Sequence, residues 1–369
     1  MSRKPRFGVW APHYGDWVFD PTIPRTARFD LARDVTLSAE RAGFDTILYA
    51  QHTIASAGKH DDEVLEAWTA SAAAAALTSK IEIIAAIKPL LYHPVVLAKL
   101  ALGIEDISHG RFALNVINAW SKPELVNSGI GFPEHDERYA YGREWLRIVK
   151  ALIAGEVVNH KGENFQITDY YLKPARLHRE RPYIYAGGES EPARALMAEL
   201  VDTHLIRGRD IQEAKDLIRD VSSRPRHGAP PIDFGTGGFV ATRATDREAE
   251  EYLDSLEDTL GTVSAEEKER RKQVVDPKAQ HGNPRLNSGE SRRLGASGGT
   301  AAGFVGSYDT VARRLVEFYD IGVTTFLLTF SPLIVEQELF AQEVIPRVHS
   351  LIRKKKHEPI GRELVEAIS

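Results

Sequence analysis

The stretch IEIIAAIKPLLYHPVVLAKLALGIEDISHGRFALNVINAW, residues 81–120, predicts the fold of the chain. It opens with an apolar run over Ile81–Pro89, typical of a strand that is buried on both faces. A helix is predicted over Pro94–Ile107, with proline in its first turn. A second apolar strand follows over Arg111–Trp120. A strand, a helix and another strand in succession indicate two parallel strands joined by a helical crossover.

The same alternation continues along most of the chain. Two neighbouring runs predict a helix over Phe29–Gly43, closed by its glycine, and a strand over Phe44–Ala50. Further elements are predicted as strands at Arg6–Pro12, Tyr183–Gly188, Thr203–Gly208, Ile232–Arg243 and Thr324–Phe330, and as helices at Glu63–Leu77 and Glu137–Ala154. About eight such units that close on themselves form a TIM barrel. A doubly wound open sheet is the alternative, but no GxGxxG motif follows the first strand.

Two segments depart from the alternation. Glu156–Ile167 predicts a β-hairpin insertion with the residues KGEN in its turn. Thr262–Thr300 is polar and rich in Gly and Ser, which suits either a solvated helix followed by disorder or a long mobile lid over the barrel. We therefore expect a single TIM-barrel domain over residues 1–369, with the lid at about 262–300 and a C-terminal tail at about 352–369.

The composition excludes several classes of function. The chain has 369 residues, a net charge of −5 and no cysteine. The negative charge argues against a nucleic-acid partner, and the lack of cysteine excludes disulfides and thiolate metal sites. The N-terminus lacks the apolar segment of a signal peptide, and no apolar run is long enough for a membrane span. We expect a cytoplasmic protein, with neither an HExxH metal site nor a GxSxG serine nucleophile.

In a TIM barrel, the chemistry lies at the carboxyl ends of the strands. The polar and aromatic residues predicted there suit a flat aromatic cofactor with a phosphate tail. They are His13, Asp16, Trp17, Tyr49, Gln51, His52, Lys88, Asn115, Asn118, Trp120, Arg207, Arg209, Phe330 and Ser331.

The motif AGGES, Ala186–Ser190, predicts a phosphate site. Its two glycines would let a ligand approach the backbone, and the next helix would present free N–H groups to an anion. The alternative is an ordinary turn in which Ser190 only caps that helix.

The long loop VINAWSKPELVNSGIGFPEHDERY, residues 116–139, leads into another helix. There Asp136 is expected to cap a helix that begins at Glu137. His135 and Tyr139 would then lie on its first turns, facing the loop.

Several motifs together resemble the bacterial luciferase-like flavin monooxygenases, in the branch that includes alkanesulfonate, dimethylsulfone and pyrimidine monooxygenases. SHGRFALNVINAW resembles the S-x-G-R-x-x-x-N-x-V-x-G-W strand of that branch, and EHDERY resembles its H-x-E-R-Y motif. YLKPARLHRERPYIYAGGES resembles the segment that ends in the family's phosphate turn. The resemblance covers most of the chain, including its last two βα units.

The resemblance implies reduced FMN as co-substrate, O2 activation, a separate NAD(P)H-dependent FMN reductase, and a homodimer or homotetramer. It implies FMN contacts from Asn115, Asn118, His135, Tyr139, Gly187, Gly188, Glu189 and Ser190. The residues assigned to catalysis are His13, Lys88, Trp120 and Arg207. Those assigned to the substrate or the lid are Asp16, Trp17, Arg292 and Arg293.

The expected reaction is oxidative cleavage of a C–S bond in a small organosulfonate or sulfone, releasing sulfite or sulfinate. Lys88, Arg207 and Arg209 favour an anionic, oxygenated sulfur group, and the near-neutral pKa of an ordinary histidine makes His13 the candidate acid–base residue. His13 could equally serve only to order the substrate.

The chain also departs from the alkanesulfonate enzymes. It has Gly237–Gly238–Phe239 in place of an Arg-x-His pair, and Asn118–Ala119–Trp120 in place of [TS]-G-W. Three readings therefore stay open beside C–S cleavage: amide cleavage in a pyrimidine-like heterocycle, a deazaflavin-dependent dehydrogenase, and a flavin-binding protein without turnover.

Overall fold

Eight parallel strands form a closed barrel in the computed structural model of the chain, which describes residues 4–15, 26–55, 63–118, 121–260 and 299–357. Around the barrel the strands are β1 (Arg6–Trp10), β2 (Thr46–Tyr49), β3 (Glu82–Ile87), β4 (Phe112–Ile117), β7 (Tyr183–Gly187), β8 (Thr203–Ile206), β9 (Asp233–Phe239) and β12 (Val323–Thr329). Strand β12 pairs with β1 and closes the ring. The predicted TIM barrel is confirmed, and each of the eight barrel strands coincides with a predicted one.

Helices pack around the outside of the barrel. The described helices are α1 (Phe29–Ala42), α2 (Ala67–Leu77), α3 (Pro94–Ile107), α4 (Lys122–Val126), α5 (His135–Ile153), α6 (Glu191–Leu200), α7 (Ile211–Ser223), α8 (Asp246–Leu260), α9 (Tyr308–Asp320), α10 (Leu333–Glu343) and α11 (Ile345–His357). Helix α1 ends at Gly43 as predicted, and this glycine has a φ of 89°. Helix α11 runs to His357, so the part of the predicted tail up to residue 357 is helical.

Aromatic residues fill the layer between the barrel and the helices. The rings of Phe7 and Phe326 stack with centroids 5.6 Å apart, and Phe340 of α10 packs on Phe7 at 5.9 Å. The barrel interior has a smaller core of its own, formed by Leu48, Ala50, Ile84, Ala113, Tyr185 and Leu327. The barrel is thus packed on both faces of its strands, which explains their continuous apolar sequences.

A polar network closes the amino end of the barrel. Arg6 donates to the Tyr185 hydroxyl at 2.7 Å and to Glu82 at 2.6 Å, and Tyr185 donates to Glu82 at 3.0 Å. Tyr183 donates to Asp233 at 2.9 Å beside them. These bonds satisfy buried polar groups that would otherwise be costly inside the barrel.

The predicted hairpin is present as the antiparallel pair β5 (Val158–Lys161) and β6 (Gln166–Tyr170). Glu144 of α5 holds its turn, because its carboxylate accepts from Asn164 Nδ2 at 2.6 Å and from the Phe165 N–H at 3.1 Å. Its Oε1 also lies 2.8 Å from His160 Nε2.

One predicted strand was wrong in its extent. Ile232–Arg243 divides into β9 and a separate β10 (Ala241–Arg243), which leaves the barrel and pairs in parallel with β11 (Val305–Ser307). The break falls at Val240, whose N–H donates to the Thr329 carbonyl at 3.0 Å. The predicted lid at about 262–300 lies almost entirely outside the described residues.

Candidate active site

The carboxyl ends of the eight barrel strands meet at one end of the barrel, which we call the C-terminal rim. Its described residues that follow the strands directly are 11–15, 50–53, 88, 118, 188–190, 207–209, 240 and 330–331. Asp16, Trp17, Trp120, Arg292 and Arg293 lie outside the described residues. Their assigned roles stay predictions.

Two histidines stack at the ends of β1 and β2. The rings of His13 and His52 have centroids 5.3 Å apart and an angle of 11° between their planes. Burial lowers the pKa of His13 to about 4, the Ala11 carbonyl partly opposes that shift, and Lys88 adds to it. Burial and Lys88 likewise lower the pKa of His52. Both rings are therefore neutral near pH 7, and the near-neutral pKa expected for His13 was wrong because the site is buried.

Lys88 forms a buried ion pair with Glu124 beside these histidines. The two side chains are 3% and 0% exposed. The other oxygen of Glu124 accepts from the Thr53 N–H at 2.8 Å and from its hydroxyl at 3.1 Å. The backbone N–H of Lys88 donates to Gln51 Oε1 at 2.7 Å. Glu124 neutralises Lys88, which argues against the expectation that Lys88 favours an anionic group in the substrate.

Two asparagines at the end of β4 carry buried polar atoms without hydrogen bonds to the described residues. These atoms are Asn115 Oδ1 and both amide atoms of Asn118. The Asn118 amide lies against Gly142 of α5, where a Cβ would overlap its Oδ1. Buried polar groups in proteins are almost always satisfied, so unpaired atoms at a barrel mouth indicate a bound ligand.

The glycine turn 187–190 joins β7 to α6. Gly188 has a φ of 144°, a region open essentially to glycine alone, and a Cβ there would lie 2.7 Å from the Tyr139 hydroxyl. Ser190 is the N-cap residue of α6, yet its side chain makes no capping bond. Its buried Oγ has no partner among the described residues. Ser190 therefore holds the N-cap position of the alternative prediction but forms no capping bond, and its hydroxyl is available at the positive end of a helix.

His135 and Tyr139 bring α5 up to this turn. Their rings lie 4.9 Å apart, and the His135 Nδ1 lies 2.8 Å from the Asp136 carboxylate. Helix α5 begins at His135 with Glu134 as its N-cap residue, so the predicted start at Glu137 with Asp136 as cap was wrong. The Glu134 N–H instead donates to the Glu137 carboxylate at 3.1 Å.

His204 supports the glycine turn from β8. It is fully buried, and its Nε2 lies 2.8 Å from the Gly188 carbonyl oxygen. Burial lowers its pKa to about 4, so the ring is neutral and Nε2–H donates to that carbonyl. Our sequence reasoning missed this residue, although a histidine within the apolar strand THLIRG was a signal for it.

The Glu189 carboxylate is held by two arginines that follow β8. It pairs with Arg209, accepts from the Arg207 N–H at 3.0 Å, and has Oε2 3.9 Å from Arg207 Nε. Burial opposes ionisation, but Arg209 and Arg207 hold the pKa of Glu189 below its ordinary value. Two arginines therefore lie beside one carboxylate at the end of β8.

The described part of the chain was predicted to hold neither a metal site nor a membrane-spanning helix. There, no group of three or more His, Cys, Asp or Glu side chains could hold a metal ion. Within the same residues, no helix is long and apolar enough to cross a membrane.

Several known proteins are similar to this chain. A family model described as "Luciferase-like monooxygenase" matches residues 6–325. An FMNH(2)-dependent dimethylsulfone monooxygenase of Pseudomonas putida is 28% identical, and the match covers 96% of this chain and 98% of that protein. A protein of the same name from Pseudomonas fluorescens is 27% identical over 95% of this chain and 96% of its own length. The EDTA monooxygenase of Chelativorans shares the fold, with a TM-score of 0.76 at 17% identity over 94% of each chain.

Proposed function

Since the chain belongs to the luciferase-like monooxygenase family, we propose that it is a two-component monooxygenase that uses FMNH2 and O2 to cleave a C–S bond in a small sulfone or sulfonate. Reduced FMN supplies the two electrons for O2 activation when it is bound, and the protein supplies position and a dry pocket. A separate NAD(P)H-dependent reductase would provide the FMNH2. A homodimer or homotetramer stays a prediction.

The glycine turn is the observation that best supports FMN binding. The buried Ser190 hydroxyl has no protein partner, the α6 N-terminus lies behind it, and Gly188 leaves room beside the Tyr139 hydroxyl. Such a group of donors at a helix N-terminus suits a phosphate. Two further cations, Arg207 and Arg209, lie next to this turn beside Glu189. We assign the phosphate to Gly187, Gly188 and Ser190, with Tyr139 and His135 beside them.

Asn115 and Asn118 would hold the polar edge of the flavin ring. Their amide atoms are buried at the end of β4 and unpaired among the described residues. An amide offers both a donor and an acceptor, which matches the mixed donors and acceptors of a flavin. Glu189 would contribute through its backbone alone, because its carboxylate is held by arginines.

His13 is proposed as a neutral hydrogen-bonding residue or base near the substrate, rather than as an acid. With a pKa of about 4 the ring is neutral near pH 7, so it is not the imidazolium that a general acid would use. Its Nδ1 lies 3.4 Å from the Ala11 carbonyl, which favours a proton on Nδ1 and leaves Nε2 as an acceptor. His52 stacks on it and keeps its ring in place.

The reaction can be tested with one product common to two substrates. Dimethyl sulfone, O2 and FMNH2 would give methanesulfinate, formaldehyde, water and FMN, and methanesulfonate would give sulfite in place of the sulfinate. The purified chain should therefore be supplied with FMN, NADH and a flavin reductase, and formaldehyde and oxygen uptake measured with each compound. Formaldehyde that depends on the chain supports the proposal. Consumption of a pyrimidine without formaldehyde from any sulfur compound would overturn it in favour of amide cleavage.

A further inference from the structure

The Lys88–Glu124 pair lies at the C-terminal rim, on the side that faces the barrel interior. Along β3, Ile84 belongs to the core inside the barrel, and Lys88 is four residues further, on the same face of the chain. The Lys88 ammonium is paired with Glu124, and it lies close enough to His13 and His52 to act on the charge of both rings. It is therefore the cation that a substrate beside His13 would meet.

The pair has no net charge in either of its protonation arrangements. If both groups are ionised, the charges cancel, and if the proton moves from Lys88 to Glu124, both groups are neutral. Thr53 fixes the carboxylate with two hydrogen bonds, so Glu124 does not turn away to expose the ammonium. An anion that entered here would lose its hydration without gaining a counter-charge, and this desolvation is expensive.

Two arginines of the rim lie elsewhere. They are Arg207 and Arg209 after β8, next to the glycine turn. Around the barrel, β4 and β7 separate β8 from β3. The described rim thus has two arginines where we place the cofactor phosphate, and a neutral ion pair beside His13.

We propose that Glu124 is a specificity-determining residue, which neutralises Lys88 and thereby makes the site select an uncharged sulfone over a sulfonate anion. This inference rests on the proposed function. Both substrates present two sulfur-bound oxygens that can accept hydrogen bonds. They differ in that a methyl group of dimethyl sulfone is replaced by a third oxygen in methanesulfonate, whose three oxygens share one negative charge, so the pair compares a neutral with an anionic compound of similar size.

The test compares kcat/KM for formaldehyde release from dimethyl sulfone and from methanesulfonate. The wild-type enzyme should favour the sulfone at least tenfold. Glu124→Gln leaves the Lys88 charge uncompensated and should shift the ratio at least tenfold toward methanesulfonate. Lys88→Met leaves an uncompensated carboxylate and should shift it further toward the sulfone. Glu105→Gln is the control, because it breaks another buried ion pair, with Arg179, that joins α3 to the segment before β7.

Binding measurements separate this inference from the proposed reaction. Titration calorimetry with both compounds on the enzyme loaded with oxidised FMN gives the same comparison without turnover. If no formaldehyde forms but Glu124→Gln still gains affinity for methanesulfonate, the reaction is wrong and the charge selection stands. A wild-type preference for methanesulfonate, or a preference that both Lys88→Met and Glu124→Gln leave unchanged while they stay folded by circular dichroism, would overturn the inference.

Discussion

The side-chain amide of Asn118 occupies the space beside Gly142 on α5. A Cβ on Gly142 would overlap the Asn118 Oδ1 and lie 3.2 Å from its Nδ2. A glycine in the middle of a helix costs about 0.5–1 kcal/mol relative to alanine. Gly142 therefore gives up helix stability to leave room for a polar side chain that has no partner in the described protein.

Gly142→Ala should separate stability from flavin binding. The Asn118 side chain can rotate away, so the free energy of unfolding should fall little or even rise by up to about 1 kcal/mol. The displaced amide should weaken FMN binding about fivefold, the equivalent of one hydrogen bond of about 1 kcal/mol. Urea unfolding and quenching of flavin fluorescence measure the two effects. Gly103→Ala in α3 is the control, because a Cβ there meets nothing within 4 Å. Unchanged FMN affinity in Gly142→Ala would contradict the role of Asn118.

Gly188→Ala should lose both stability and flavin. Its φ of 144° is strained for alanine by about 1–3 kcal/mol, and the new Cβ would stand 2.7 Å from the Tyr139 hydroxyl. We expect FMN affinity to fall more than tenfold and the melting temperature to drop. Gly43→Ala imposes a left-handed φ of 89° in open space at the end of α1. This control should lower the melting temperature and leave FMN affinity as it is; a parallel loss in both variants would mean that instability alone weakens binding.

Ser190→Ala should weaken FMN about fivefold with little effect on folding. Its Oγ forms no capping bond, so the free energy of unfolding should change by less than about 0.5 kcal/mol. Ser307→Ala offers the opposite outcome, because Ser307 accepts from the Thr310 N–H at 3.2 Å and caps α9. That variant should lose about 1 kcal/mol of stability and keep its FMN affinity. If Ser190→Ala binds FMN as the wild type does, the phosphate lies elsewhere.

His204→Phe should reduce the acid sensitivity of the fold. The pKa of His204 is lowered from 6.5 to about 4 in the folded chain, so the unfolded chain binds the proton first as pH falls. Its contribution to stability is therefore present above pH 6.5 and is lost progressively toward pH 4. At pH 5 this loss amounts to about 2 kcal/mol, at about 1.4 kcal/mol per pH unit. Urea unfolding at pH 7 and pH 5 should show a smaller difference for His204→Phe than for the wild type. Equal differences would show that His204 titrates normally.

The sequence was sufficient for the barrel because its strands are apolar on both faces. Residues 81–120 already contain β3, α3 and β4, and α3 has the predicted bounds. Positions where tertiary contacts decide the boundary were harder to predict. The start of α5 depends on the Glu134–Glu137 hydrogen bond, and the separation of β10 from β9 depends on its pairing with β11. Neither contact leaves a periodic pattern in the sequence.

The candidate site was predictable as a set of strand ends, but the charge state of each residue was not. The sequence shows Lys88 as a cation but does not show its partner Glu124, which is 36 residues away along the chain. The sequence likewise does not show that burial lowers the pKa of His13. Ionisation depends on neighbours and on exposure, and both follow from the tertiary structure.

The network of Arg6, Glu82 and Tyr185 also limits the traffic of ligands through the barrel. With the amino end closed by hydrogen bonds and the interior filled by side chains, the barrel is blind-ended. Oxygen, sulfur compound and flavin would have to enter by the same mouth, and the products would leave by it. A single opening constrains the order in which these molecules bind and leave. Product-inhibition patterns would therefore show which product is released first.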